Sequence, residues 1–217
     1  DKMGGWFILE YPNNPNKFSD RGGFFEPMNT NMYVIGVDTT SHNDVSNGSK
    51  PRAVIMKKSC IVDGEETGMK PVAMWLADKR LGVHFDEEIM KAALFYGCKV
   101  CYEIDYRDDY VIYFTKLGMR SFLEWTPSAL RSPTKKSPKI EPGVRSGDGF
   151  QHYQQLQIAK AYIDGDSQEI YNGHVHRIMF PSLLNQLQTF NNSDRTKSDE
   201  CVALFMALVT MFGEDNS

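Results

Sequence analysis

The sequence lacks any apolar run near the roughly 18 residues that a membrane-spanning helix needs, and nothing near its start has the pattern of a signal peptide. No membrane partner is expected. It also lacks a G-x-x-x-x-G-K-[ST] phosphate loop, so no P-loop ATPase is written into these 217 residues. There is no internal repeat. Cysteine is scarce: the four are Cys60, Cys98, Cys101 and Cys201. That is too few for a disulfide scaffold in a chain of this length, and a reducing compartment is expected. An excess of basic charge is missing too, since 24 Lys and Arg stand against 28 Asp and Glu, for a net charge of -4. Affinity for duplex DNA comes mostly from neutralising phosphates. A DNA-acting domain of this charge therefore needs a local basic patch, bound metal and a partner that holds the duplex.

What is present is ordinary globular composition, 41% hydrophobic and 12% aromatic, enough for a sizeable core. The expectation is a single domain over 1–217. The first residue is Asp1, not Met, so the chain is expected to be part of a longer protein. Residues 1–30, rich in Asn, Gly and Pro, read as an N-terminal arm or extra strand around Trp6-Phe7-Ile8-Leu9. Met32–Asp38 is apolar on both faces and reads as a central, doubly covered strand. Strands are also expected over Ala53–Cys60 and Val72–Asp78, with a hairpin tip at Asp63-Gly64-Glu65-Glu66. Helices are expected over Phe85–Tyr96, Asp108–Leu117, Phe150–Ile163, Pro181–Phe190 and Asp199–Phe212, with Gly97 and Gly118 as stops. Lys99–Ile104 and Ser121–Trp125 read as strands, Val175–Phe180 as a short extended piece, and 126–149 as a loop with four prolines. Three strands that pair as an antiparallel meander, followed by strands that return through helices, give an α/β fold. Its sheet is mixed, with five or more strands: three antiparallel, the rest parallel, flanked by helices.

Three carboxylates stand in costly places. Asp38 ends an otherwise apolar strand, Glu103 lies among apolar neighbours, and Asp199 opens an almost wholly apolar helix. An acid in such a position must be paired or bound to a cation. The expected topology sets Asp38 and Glu103 at the C-terminal ends of neighbouring strands, and a helix N-terminus brings Asp199 to the same corner. Divalent magnesium or manganese relieves the repulsion among such oxygen ligands. Two ions about 3.5–4 Å apart activate a water and stabilise a leaving 3′ oxygen, the chemistry of phosphodiester hydrolysis. Each acid alone has a plainer reading: a turn former at Asp38, a partner for a buried Arg or Lys at Glu103, a helix cap at Asp199. Asp105, on the strand face of Glu103, and Glu200 and His42 are accessory candidates, with Asp148 weaker.

At these residues the chain resembles a known family. Trp6–Pro12 (WFILEYP), a spacer and Tyr33–Asp38 (YVIGVD) are similar to the opening of the nuclease domain of large terminase subunits of tailed phages. There a strand ending in E-x-P precedes Y-x-x-G-x-D. Val100–Asp105 (VCYEID) resembles the second acidic strand of that family. Phe180–Phe190, followed by Ser198–Ala203, resembles its closing helix, acid and helix. The resemblance implies a ribonuclease H-like fold and two-metal (Mg2+ or Mn2+) cleavage of concatemeric viral double-stranded DNA during packaging. Asp38, Glu103 and Asp199 take the positions of the metal-binding acids. It implies an ATPase domain in the same full-length protein, portal and small terminase subunits as partners, and the host-cell cytoplasm as the location. Many members carry Asp-Asp where this chain has Asp199-Glu200, so either acid is a candidate third ligand.

Arg131, Lys135, Lys136, Lys139 and Arg145 form a basic cluster in the Pro-rich loop, the best candidate for phosphate contact. Cys98-x-x-Cys101 has no second ligand pair and reads as buried thiols rather than a zinc site. His174 and His176 read as ordinary histidines. Two further functions share these features: a transposase- or resolvase-like nuclease of the same fold, and a non-catalytic docking module of a packaging motor.

Overall fold

The computed structural model describes residues 5–39, 50–76, 82–104, 109–131, 141–145, 149–165, 173–192 and 198–212. The strands are β1 (Gly5–Ile8), β2 (Phe18–Asp20), β3 (Phe25–Pro27), β4 (Tyr33–Asp38), β5 (Arg52–Lys57), β6 (Ile61–Val62), β7 (Glu65–Glu66), β8 (Lys70–Leu76) and β9 (Lys99–Tyr102). The helices are α1 (Gly82–Tyr96), α2 (Asp109–Lys116), α3 (Gly149–Asp164), α4 (Pro181–Thr189) and α5 (Asp199–Phe212).

Two strands, YVIGVD and RAVIMK, are buried at every residue. They sit at the middle of a five-stranded sheet of order β1-β8-β5-β4-β9. β4, β5 and β8 form the expected antiparallel meander, and β9 returns through α1 to lie parallel to β4. The N-terminal apolar run is an edge strand, β1, antiparallel to β8. Glu10, just past β1, forms ion pairs with Lys57 and Lys70 and clasps this edge to the sheet.

Side-chain alternation sends each strand's residues into two cores. Ile35, Val37, Ala53, Ile55, Val100 and Tyr102 pack beneath α1 and α2. Val34, Val54, Met56 and Met74 pack beneath α3, α4 and α5. Residues Asp199 to Thr210 of α5 are all buried, because the helix lies between the sheet and the α3–α4 layer. Full burial of Leu204 or Leu208 contributes about 2 kcal/mol each.

Local signals explain most boundaries. β6 and β7 are joined by Asp63 and Gly64 at φ 53° and 86°, the left-handed pair that a two-residue hairpin demands. Gly97 and Gly118, at φ 64° and 69°, end α1 and α2.

Two expected elements differ. Ser121–Trp125 is not a strand: Arg120–Phe122 is a 3-10 turn, and Leu123 makes a single parallel bridge to Val100. The edge of β9 is divided between two segments, because Val144 bridges to Glu103 a few residues on, so neither extends into a ladder. Val175–Phe180 is not extended at its start, since His174–Arg177 forms a 3-10 turn. The guanidinium of Arg177 anchors that turn to Gly68 O at 2.8 Å and Glu66 at 3.0 Å. The β2–β3 hairpin, only three residues a side, carries no periodic signal and was not expected.

Candidate active site

Alternation fixes where the acids sit. On β4, Val37 faces α1, so Asp38 faces the α5 side. On β9, Cys101 contacts the α5 side and Tyr102 the α1 side, so Glu103, one residue beyond the strand, follows Cys101. The ends of the two strands are tied directly. The Glu103 N–H donates to Val37 O at 3.0 Å, and the Thr39 hydroxyl donates to Glu103 O at 2.6 Å. Arg52, paired with Asp38 across the β4–β5 ladder, lies on the same face, since its neighbour Ala53 faces α1.

α5 reaches this corner because β4 has no side chain at Gly36. A β-carbon there would stand 2.1 Å from Ala203 O and 2.4 Å from Ala207 N. The helix therefore rests on the strand backbone. Asp199 is one turn before Ala203 on the same helix face, and Gly36 and Asp38 share one strand face. Asp199 is thereby carried toward Asp38. The Lys50 N–H donates to Asp199 Oδ2 at 2.8 Å, and the Glu200 N–H donates to Oε1 of Gln186, on α4, at 3.0 Å.

Asp38, Asp199 and Glu200 are 6%, 8% and 4% exposed, and Glu103 is half-buried. Arg52, 9% exposed, places its Nε 3.7 Å from Glu200 Oε1. Burial raises the Glu200 carboxyl above its ordinary range, as does the charge of Asp199, and these outweigh a hydrogen bond from Ser182 and the charge of Arg52. Glu200 Oε2 is buried without a hydrogen-bond partner.

This is an all-oxygen donor set, suited to a hard cation such as magnesium or manganese. Four acids border one corner, and a cation there offsets their mutual repulsion. The side chains border the corner without closing on a point. Among the described residues, no group of three or more His, Cys, Asp or Glu is drawn into one coordination sphere.

Of the other candidates, His42, Asp105, Lys135, Lys136, Lys139 and Asp148 lie outside the described residues. Arg131 Nε donates to Thr126 O at 3.0 Å. Arg145 pairs with Glu141, and its N–H donates to Gln151 Oε1 at 2.9 Å. It follows Val144, the bridge partner of Glu103, so this end of the basic cluster adjoins the acidic corner. Cys98 and Cys101 are fully buried, and burial pushes the Cys101 thiol up to about 12. The His174 and His176 turn lies across α3 and the β6–β7 hairpin, and burial lowers the pKa of His174. Sequence reasoning missed Arg52, which reads as a polar strand start.

Comparison with protein-family models and with curated proteins gives no match. Comparison with solved structures does. The large terminase nuclease from thermophilic phage G20c, crystallised with bound zinc, superposes with a TM-score of 0.50 at 10% sequence identity, covering 92% of each chain. The chain therefore shares the fold of a large terminase nuclease, the mixed-sheet, ribonuclease H-like plan.

Proposed function

We propose that this domain is a metal-dependent endonuclease that cleaves concatemeric viral double-stranded DNA during genome packaging. What supports the reading is that Asp38 and Glu103 stand at the ends of neighbouring parallel strands on the face that α5 covers, and that the seat of α5 on Gly36 sets Asp199 on the same side. The likeness to a terminase nuclease supports it through the fold.

In this reading Asp38, Glu103 and Asp199 hold two divalent cations. Such ions supply a reactive water at neutral pH and offset charge on a leaving phosphate oxygen. The residues do the remainder. Asp38 and Glu103 are fixed by the β4–β9 backbone bonds, so their carboxylates are preorganised at adjacent strand ends. Asp199 is fixed by the Lys50 N–H and by the seat of α5 on Gly36. The basic loop, with Arg131, Lys135, Lys136, Lys139 and Arg145, grips the DNA backbone and compensates for the net acidity of the domain. An ATPase domain and the portal and small subunits of a packaging motor are the proposed partners.

The test is cleavage of supercoiled plasmid with manganese, magnesium or chelator, alongside Asp38→Asn. Nicking and linearisation that need metal and vanish in the variant are expected. Equal cleavage by Asp38→Asn overturns the assignment. Absence of cleavage with any metal, when the DNA is also held by a packaging ATPase, leaves a non-catalytic docking module.

A further inference from the structure

The acidic corner contains a residue that the nuclease reading leaves without a task. Arg52 is the first residue of β5, directly across the ladder from Asp38, and it is almost completely buried. Its Nε stands 3.7 Å from Glu200 Oε1, and its Nη1 donates to its neighbour's carbonyl, Pro51 O, at 3.1 Å. Burying a guanidinium is costly unless carboxylate or carbonyl oxygens surround it. Here it spans two elements: β5, which is in register with Asp38, and the first turn of α5, which carries Asp199 and Glu200.

We propose that Arg52 is a positioning residue for the metal-binding acids: by holding Glu200 as its buried partner, it sets the rotation of the first turn of α5 and so aims Asp199 into the corner. The inference rests on the nuclease reading of this corner. Neighbouring helix residues point about 100° apart, so an anchored Glu200 fixes the direction of Asp199. Two further contacts act in the same sense. The Glu200 N–H is held by Gln186 and the Asp199 carboxylate by the Lys50 N–H, so the turn is gripped from α4, from the chain leading into β5 and from β5 itself. Arg52 also supplies one resident positive charge among four acids, which lets the corner fold before any cation arrives.

The test is a manganese titration by calorimetry, with melting temperatures recorded with and without metal, on the whole domain. Glu200→Gln is expected to keep manganese affinity within about threefold, whereas Asp199→Asn loses tenfold or more. Arg52→Gln, which releases the Glu200 carboxylate, is expected to lose about tenfold, and adding Glu200→Gln is expected to cost nothing further, because Arg52 acts through Glu200. Arg52→Lys keeps a cation in place and is the variant to use if Arg52→Gln does not fold; its affinity is expected to fall less than that of Asp199→Asn. A loss in Glu200→Gln as large as that in Asp199→Asn makes Glu200 a ligand and overturns the proposal while leaving the metal site intact. So does a double variant that loses clearly more affinity than Arg52→Gln alone, since Glu200 then acts apart from Arg52. Manganese affinity unchanged in both Asp38→Asn and Asp199→Asn overturns the metal-site reading itself, and this inference with it.

Discussion

Gly36 and Ala203 touch backbone to backbone: a β-carbon on the glycine would stand 2.1 Å from the alanine's carbonyl oxygen. Neither atom belongs to a flexible side chain, so no rotamer change relieves the clash. Gly36→Ala must lift α5 off β4, at a cost of about 3 kcal/mol or more, which urea denaturation measures. Because the same contact carries Asp199 toward Asp38, manganese affinity is expected to fall even under conditions where the variant is fully folded.

Asp38→Asn is expected to abolish cleavage yet raise the metal-free melting temperature. Removing one of four clustered charges stabilises by about 1 kcal/mol, or about 3 °C for a domain of this size. The wild-type protein should overtake the variant once metal is added, since a cation present at 100 times its Kd contributes about 2.7 kcal/mol. Differential scanning calorimetry with and without manganese checks both halves.

The Glu10 carboxylate gives an acid-side prediction. Burial raises its pKa, but hydrogen bonds and charge from Lys57 and Lys70 prevail and leave it below the ordinary value of 4.5. A depressed carboxyl contributes stability that is complete above its unfolded pKa and is lost as pH falls through the folded value. Glu10→Gln is expected to be about 2 kcal/mol less stable than wild type at pH 7, with the gap closing below pH 4.5. Urea midpoints at pH 7 and pH 3 decide it.

Thiol titration separates core cysteines from a metal site. Cys98, Cys101 and Cys201 are buried, and burial pushes the thiols of Cys101 and Cys201 up to about 12, whereas Cys60 is half-exposed. One fast-reacting thiol is expected in the native protein and four after unfolding. Rapid reaction of Cys98 or Cys101 in the folded state contradicts this.

If the loop grips phosphates, replacing Lys135, Lys136 and Lys139 together by Ala reduces the slope of log affinity against log salt. The expected change is about 2.7, at roughly 0.9 for each phosphate that a lysine neutralises. The melting temperature should not move. An unchanged slope removes these lysines from the DNA interface.

Elements with strong, long-range pattern were legible in the sequence. The Tyr33–Asp38 strand, apolar up to its last residue, and the Asp199–Phe212 helix have no alternative to a doubly covered position, and they carry Asp38, Asp199 and Glu200. Glycines at forced left-handed positions marked the ends of α1 and α2. Short elements were legible only where a turn signal marked them, as Asp63-Gly64 marks the β6–β7 hairpin. Three residues a side cannot show a period, so β2 and β3 were missed, and Leu123 looks like a strand residue although it makes one bridge. Arg52 was invisible for a different reason. An arginine beside a proline at a strand start reads as a surface residue, and only the approach of α5 buries it.

The clasp formed by Glu10 has a consequence for dissecting this protein. A fragment beginning after residue 12 would turn β8 into an open edge with unpaired backbone groups. It would also leave Lys57, 5% exposed, without its carboxylate partner. Such a fragment is expected to aggregate although every carboxylate of the corner is still present, so the working limit of the folded unit lies upstream of the first acid of the corner, at the strand that begins with Gly5.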